Sequence, residues 1–234
     1  MQDVEAIILA GGLGTRLRSA VADVPKPMAP VAGRPFLEII LTQLARQGLS
    51  RAVLSVGYKS DMIVSHFGQQ WGGIALRYCI EDQPLGTGGA IAEALKLIDG
   101  DRALVLNGDT LLDENFAQLN DCYNRNDAAF AMFVRQIEDG GRYGVCELDG
   151  ERLNGFQSGD EGTPAWINAG SYLIDTRITQ EQSHAAPYSF EAEVIPRLAS
   201  EGQAFVVRTS AKFIDIGIPE SYRFAQSFIP TISL

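Results

Sequence analysis

The stretch Ala6-Ile7-Ile8-Leu9-Ala10-Gly11-Gly12-Leu13-Gly14-Thr15-Arg16-Leu17, followed by Lys26-Pro27, decides how this chain is read. The apolar run from Val4 to Leu9 reads as a buried strand. It stops at Gly11 and Gly12, and Gly14 follows. Glycine accepts positive φ and lets backbone come close to a ligand, so a loop of this composition can turn its N–H groups on an anion. Arg16 and Lys26 then bring two permanent positive charges. Strand, glycine loop, Arg and Lys together make a site for a polyphosphate. The plainer reading is a glycine turn that only links a strand to a helix.

Working outward, Phe36, Leu37, Ile40, Leu41 and Leu44 recur at helical spacing, and Gly48 reads as the C-terminal cap of a helix over Phe36 to Gln47. Arg51 to Gly57, Ile74 to Ile80 and Ala103 to Leu106 read as buried strands. Ser60 to Phe67 and Gly86 to Leu97 read as helices between them. This alternation predicts a parallel sheet covered on both faces. After a helix over Asn115 to Tyr123 the pattern changes. Ala128 to Val134, Gly144 to Leu148, Arg152 to Gln157, Trp166 to Ile174, Ala204 to Arg208 and Phe213 to Ile216 read as strands. Phe190 to Leu198 reads as a helix with Pro196 near its end, and Pro219 to Ser227 as a closing helix. Ser158 to Pro164 reads as a mobile loop. No linker separates two units, so residues 1–234 are read as one domain, with halves 1–125 and 126–234.

A chain of 234 residues buries roughly 70% of its unfolded surface and needs no disulfide. The net charge of −10 argues against nucleic acid and anionic membrane as partners, since both reward clustered Lys and Arg. Cys79, Cys122 and Cys146 form no Cys-x-x-Cys pair, so zinc is not expected and free thiols are. His66 and His184 share no motif. No signal peptide or membrane span is read, and a cytoplasmic location is expected. The oligomeric state is left open, a homodimer being one option.

Two carboxylates draw attention. Asp109, in Asn107-Gly108-Asp109, follows the apolar strand that ends at Leu106, and ligands of parallel sheets gather at the carboxyl ends of strands. It would serve equally well as a helix cap. Asp215, in Phe213-Ile214-Asp215-Ile216-Gly217, lies in an apolar segment where a lone charge is costly unless a cation is near. Mg²⁺ is held by one or two carboxylates plus phosphate oxygens, so this pair would suffice.

Three glycine loops compete for the opening stretch. A Walker loop requires Gly-Lys-Ser/Thr, which is missing. The dinucleotide fingerprint requires glycine where Leu17 stands, and an acid after the strand Val53 to Gly57. The third matches in full: Gly-Gly-x-Gly-Thr-Arg-Leu with a downstream Lys-Pro resembles the signature of the sugar-1-phosphate nucleotidyltransferases, and the likeness runs through nearly the whole chain. It implies an α/β, Rossmann-like (GT-A-like) fold with a mixed, mostly parallel sheet, helices on both faces and a β-rich sugar-binding second half. It also implies that Leu9, Ala10, Gly11, Gly12, Gly14, Thr15 and Arg16 form the nucleotide-binding loop, that Lys26 binds phosphate, and that Pro84, Gly86 and Thr87 lie at the base. Asp109 and Asp215 would hold the catalytic Mg²⁺. The catalytic set is then Arg16, Lys26, Asp109 and Asp215.

Glu81 falls at the family's base-reading position. A carboxylate only accepts hydrogen bonds, and guanine offers adjacent N1 and N2 donors, which favours GTP. A solvated acidic turn is the other reading. On the sugar side, Gly144 in Arg142-Tyr143-Gly144-Val145 and Asn168 in Asn168-Ala169-Gly170 match segments that touch the sugar. The family's Glu-Lys-Pro, whose Glu binds the sugar and whose Lys binds its phosphate, is replaced by Phe156-Gln157-Ser158-Gly159. Arg142, Arg135, Lys212 or the 158–164 loop are candidates to hold that phosphate instead. Lys26-Pro27-Met28-Ala29-Pro30, Asn107-Gly108-Asp109-Thr110 and Asp215 to Tyr222 most resemble the branch acting on D-glycero-α-D-manno-heptose 1-phosphate. This implies a GTP-dependent enzyme that makes GDP-heptose for a capsule, S-layer glycan or lipopolysaccharide. Two rivals are a uridylyl- or guanylyltransferase acting on another sugar 1-phosphate, such as that of N-acetylmuramate or mannose, and a non-catalytic subunit that binds a nucleotide-sugar.

Overall fold

The computed structural model describes residues 4–140, 144–179 and 187–232. Strand β1 (Glu5–Ala10) lies deep within the sheet. Ala6, Ile7 and Ile8 are wholly buried, as a strand covered on both faces demands. A short 3-10 turn (Lys26–Met28) and a small hairpin, β2 (Pro30–Val31) and β3 (Arg34–Pro35), lead into α1 (Phe36–Arg46). Gly48 at φ +81° ends that helix. Its N–H reaches the Ala45 carbonyl and the Leu49 N–H reaches that of Leu44, each at 3.1 Å, the paired bonds of a Schellman cap.

The chain continues through β4 (Arg51–Val56), α2 (Ser60–Phe67), β5 (Gln70–Trp71), β6 (Ile74–Ile80), α3 (Gly86–Leu95) and β7 (Arg102–Asn107). Next come β8 (Thr110–Leu112), α4 (Ala117–Asn126), β9 (Phe130–Ile137), β10 (Gly144–Asp149), β11 (Arg152–Ser158) and β12 (Ala165–Asp175). A π-helical turn (Phe190–Val194) precedes α5 (Ile195–Ser200), β13 (Ala204–Thr209), β14 (Phe213–Asp215) and α6 (Pro219–Phe228).

Ten strands form one mixed sheet in the order β10-β11-β13-β9-β12-β7-β1-β4-β6-β5. The run β7, β1, β4, β6 is parallel, and β12 joins it antiparallel to β7. Alternate residues of β1 feed two cores. Ala6, Ile8 and Ala10 pack with residues of α1, α2, α4 and α6, while Ile7 packs with residues of α3 and α5. Helices therefore cover both faces. The chain leaves β1 toward β4 and β6 on one side and returns to β7 on the other. That reversal opens a crevice beyond the carboxyl ends of β1 and β7, where open α/β sheets take their ligands.

Two local readings change. The helix expected over Phe190 to Leu198 is broken in kind: Ile195 N–H reaches back five residues to the Phe190 carbonyl, and Pro196 sits in the first turn of α5 rather than near a helix end. Proline has no N–H and crowds the carbonyl four residues back, so a wider turn precedes it. The Ser158 to Pro164 loop is tied down, with Gly140 N–H on the Thr163 carbonyl at 3.0 Å and Gly162 N–H on Asp139 Oδ1 at 2.9 Å.

Candidate functional site

The ends of β1, β4 and β7 meet backbone to backbone. Gly108 N–H bonds the Leu9 carbonyl at 3.0 Å, and a Cβ on Gly108 would fall 2.5 Å from that oxygen. A Cβ on Gly57 would lie 3.0 Å from the Gly11 carbonyl oxygen. Glycine at these points lets three strand exits share one floor. Above it lies a cleft of about 490 Å³ whose wall includes every residue from Leu9 to Arg16, with Lys26, Glu81, Pro84, Gly86 and Thr87. All the positions assigned to a nucleotide from sequence thus line a single cavity.

A second cleft of about 480 Å³ adjoins it and is lined by Gly144, Asn168, Asp215 and Asp109 among others. The two share Arg16, Asn107, Asp109 and Glu191. Asp109 and Asp215 come together because β8 and β14 pair, with Asp215 opposite Thr110. The Ile216 N–H also donates to the Asp109 carbonyl at 2.9 Å. Lys26 Nζ forms an ion pair with Asp109 Oδ2, and Thr110 Oγ1 donates to Oδ1 at 3.0 Å. Asp215 Oδ1 accepts the Gly217 N–H at 2.6 Å. A Cβ on Gly217 would crowd Asp215 Oδ1 at 2.5 Å and Lys26 Nζ at 3.4 Å, so Gly217 brings the lysine and the second acid to one point. Arg16 is exposed on the rim and has no hydrogen-bond or ion-pair partner among the described residues.

Glu81 is not a solvated turn residue. Ser55 Oγ donates to its Oε1 at 2.9 Å and Leu85 N–H to its Oε2 at 3.2 Å. Just beyond it, the glycines of Gly86-Thr87-Gly88-Gly89 make room for a segment from the second half. A Cβ on Gly86 would lie 2.3 Å from the Tyr188 carbonyl oxygen, and one on Gly88 would lie 2.1 Å from the Tyr188 ring. Tyr188 N–H reaches the Leu85 carbonyl at 3.1 Å and Gly88 N–H the Tyr188 carbonyl at 3.0 Å. Thr87 Oγ1 accepts the Phe190 N–H at 2.9 Å and donates to Glu191 Oε2 at 2.5 Å.

Beneath the shared wall lies a buried polar group. Asn168 Nδ2 donates to the Tyr172 hydroxyl at 2.6 Å, and Asn168 Oδ1 accepts the Gly170 N–H at 2.7 Å. Burial first, then the negative charge of Glu191, pushes the Tyr172 phenol well above its usual range, so it stays a neutral donor. The pairing of β12 with β9 shifts between Asn168 and Tyr172, and Gly170 turns there at φ +70° under the Asn107 side chain.

The candidates for a second phosphate ligand fare differently. Arg135 is committed to the Ala211 carbonyl and Lys212 to Thr231. Neither they nor the 159–164 residues line either cleft. Arg142 lies outside the described residues. Glu191 is the residue the sequence reading missed. Its signal was hidden because Glu193 takes the local role, its Oε1 accepting the Ser189 N–H at 3.1 Å, while Ser189 Oγ caps Ala192 at 3.1 Å.

Among the described residues no three His, Cys, Asp or Glu side chains converge to hold a metal by themselves. Asp109 and Asp215 fit the sparser demand of Mg²⁺, which completes its shell with waters and phosphate oxygens. No helix among the described residues is long and apolar enough to cross a membrane.

Known proteins carry the same plan. The chain is 37% identical over 223 residues to a D-glycero-α-D-manno-heptose 1-phosphate guanylyltransferase of Aneurinibacillus thermoaerophilus, covering 95% of this chain and 97% of that one. It is 39% identical over 220 residues to the Campylobacter jejuni protein of the same name, covering 94% and 97%. The crystal structure of HddC from Yersinia pseudotuberculosis complexed with GMP-PN superposes with a TM-score of 0.84 at 35% identity, covering 96% of this chain and 98% of that one. Residues 5–231 match the nucleotidyl transferase family. A glycine loop at a sheet's switch point, facing two acids that the pairing of β8 with β14 brings together, is thus part of a pattern spanning nearly the whole chain, which belongs to the nucleotidyl transferase family.

Proposed function

We propose that this enzyme transfers the guanylyl group of GTP to D-glycero-α-D-manno-heptose 1-phosphate, forming GDP-heptose and releasing pyrophosphate. One observation carries the reading: two clefts of similar size share a wall that holds Arg16 and Asp109. A nucleotide in the first and a sugar phosphate in the second would meet at that wall. The names of the relatives support the choice of base and sugar. The same reading treats residues 1–125 as mainly the nucleotide half and 126–234 as mainly the sugar half of one catalytic unit, working in the cytoplasm.

The sugar-phosphate oxygen attacks the α-phosphorus, a new P–O bond forms, and the bond to the β-phosphate oxygen breaks in line. The attacking oxygen is already an anion, so no general base is required. The barrier is the meeting of two anions and the charge that gathers on pyrophosphate. Positioning and positive charge lower it. The glycine loop offers backbone N–H groups, Arg16 reaches both clefts, and Lys26 stands against Asp109. Mg²⁺, held by Asp109 and Asp215, supplies further positive charge to the phosphates when bound. Glu81 keeps unused lone pairs on both oxygens after its two bonds, enough to accept from guanine N1 and N2.

Pyrophosphate release by the purified chain tests this, with each of GTP, UTP and dTTP against heptose 1-phosphate and mannose 1-phosphate in the presence of Mg²⁺. Turnover highest with GTP and the heptose is the expected result. Preference for UTP or dTTP refutes the base, and preference for mannose 1-phosphate refutes the sugar. Nucleotide-sugar binding with no turnover refutes the enzyme.

A further inference from the structure

We propose that Glu191 reads the sugar, its carboxylate accepting hydrogen bonds from sugar hydroxyls in the second cleft; this deepens the functional reading above and rests on it. The wall where a carboxylate was expected lacks one. Gln157 stands there on β11, exposed and outside both clefts, and among the described side chains of β11 only Phe156 lines the second cleft. Among the described residues, the acids that line that cleft are Asp109, Asp215 and Glu191. Asp109 is engaged by Lys26 and Thr110, and Asp215 sits beside them with its Oδ1 on the Gly217 N–H. Asn168 has both ends of its amide committed, to Tyr172 and to Gly170.

Glu191 is arranged differently. Both of its hydrogen bonds fall on one oxygen, Oε2, from Thr87 Oγ1 at 2.5 Å and from Ser189 Oγ at 3.2 Å. Its Oε1 has no donor among the described residues. The side chain is half-buried and fixed by two hydroxyls, with acceptor capacity left over. Sugar hydroxyls are donors, and a bond from a hydroxyl to a charged acceptor is short and strong. A carboxylate already oriented loses little rotational freedom on binding. The missing acid is thereby replaced from another element, the π-helical turn. Thr87 acts as a positioning residue: it lines the nucleotide cleft and aims the carboxylate that reads the other substrate.

Steady-state kinetics of the wild type, E191Q, E191A and T87V with GTP and heptose 1-phosphate test the proposal, with thermal melting to show that each variant folds. Losing a bond to a charged group raises KM for the sugar phosphate by about 10-fold or more in E191A, while KM for GTP stays within about 2-fold. E191Q retains a neutral acceptor and is expected to fall between them, and T87V to show a smaller rise in the same constant. An unchanged sugar KM in E191A overturns the proposal, as does a loss shared equally by both substrates. If the wild type is inert with these substrates, the functional reading fails by itself. Calorimetry of heptose 1-phosphate against wild type and E191A then decides for Glu191 alone, equal affinities overturning it.

Discussion

Gly108→Ala is the sharpest test of how the fold builds the site. The new Cβ would stand 2.5 Å from the Leu9 carbonyl oxygen, 3.1 Å from its carbon and 3.4 Å from the Ala10 Cα. All three are backbone atoms of the central strand, so no rotamer change gives relief. Ordinary contact begins near 3.4 Å, so β7's exit must retreat from β1 by close to an ångström, carrying Asp109 with it. Overpacking of this kind costs about 1–3 kcal/mol. In a chain of this length each kcal/mol lowers the melting temperature by about 2–4 °C, giving a fall of about 2–12 °C. A displacement of about 1 Å at a reacting centre lowers kcat by about 10²-fold. Gly12→Ala is the matched control: a Cβ there meets nothing within 4 Å, so melting stays at the wild-type value. Differential scanning fluorimetry and pyrophosphate release read both variants. A G108A protein with wild-type melting and kcat would refute the claim that glycine is needed where the two strands part.

Lys26→Ala and Asp109→Asn each remove one member of the central ion pair and are expected to lower kcat by about 10²-fold or more, the loss typical of one electrostatic stabiliser; near-normal turnover in either removes that residue from the catalytic set. Asp175 receives three hydrogen bonds from Arg177, two from its side chain, and these hold its carboxyl below the usual range. Its contribution to stability is therefore full above the unfolded value and is lost as pH falls through the depressed folded one. Denaturant unfolding of D175N should show a shallower loss of stability below about pH 4 than the wild type, and parallel curves would dismiss the pair. Burial pushes the Cys146 thiol up to about 12 and raises Cys79 and Cys122 as well. At pH 8 iodoacetamide should leave Cys146 unmodified in the native protein and label all three after unfolding; rapid native labelling of Cys146 would contradict its burial.

The gathering of the glycine loop, Lys26 and the 81–87 segment around one cleft was legible because its reasons are local. Glycines at 11, 12, 14, 86 and 88 stand within two short segments, and strand, loop and helix follow one another without long-range help. The alternation of strand and helix up to β7 was legible for the same reason, through periodicity alone. The partnership of Asp109 with Asp215 was not. It is made by β8 and β14, three residues each, too short to show any period. What pointed to it was the cost of a charge in an apolar segment, together with the family likeness. Arg135 and Lys212 were misjudged because their partners are backbone carbonyls of Ala211 and Thr231, acceptors that every residue carries and no sequence advertises. Glu191 escaped for a subtler reason. Glu191 and Glu193 are both acids just after a capping serine, and only the fold tells which one closes the cap and which one turns into the cleft.

The charge of the site has its own logic on the functional reading. The described walls of both clefts carry Arg16 and Lys26 against Glu81, Asp109, Asp215 and Glu191, in a chain of net charge −10. A triphosphate and a sugar phosphate are both anions, so a site with more acids than bases looks ill suited to either. Two of the acids face donors instead. Glu81 rests on Ser55 and the Leu85 N–H, and Glu191 on Thr87 and Ser189. Lys26 is partly spent on Asp109. Much of the positive charge that the phosphates need must then arrive with them, as a divalent ion that Asp109 and Asp215 accept. A site built instead from fixed lysines and arginines would grip pyrophosphate as tightly as the triphosphate and slow the release of that product. Charge that enters with the substrate can leave with the product, and the paired acids are what allow the protein to borrow it.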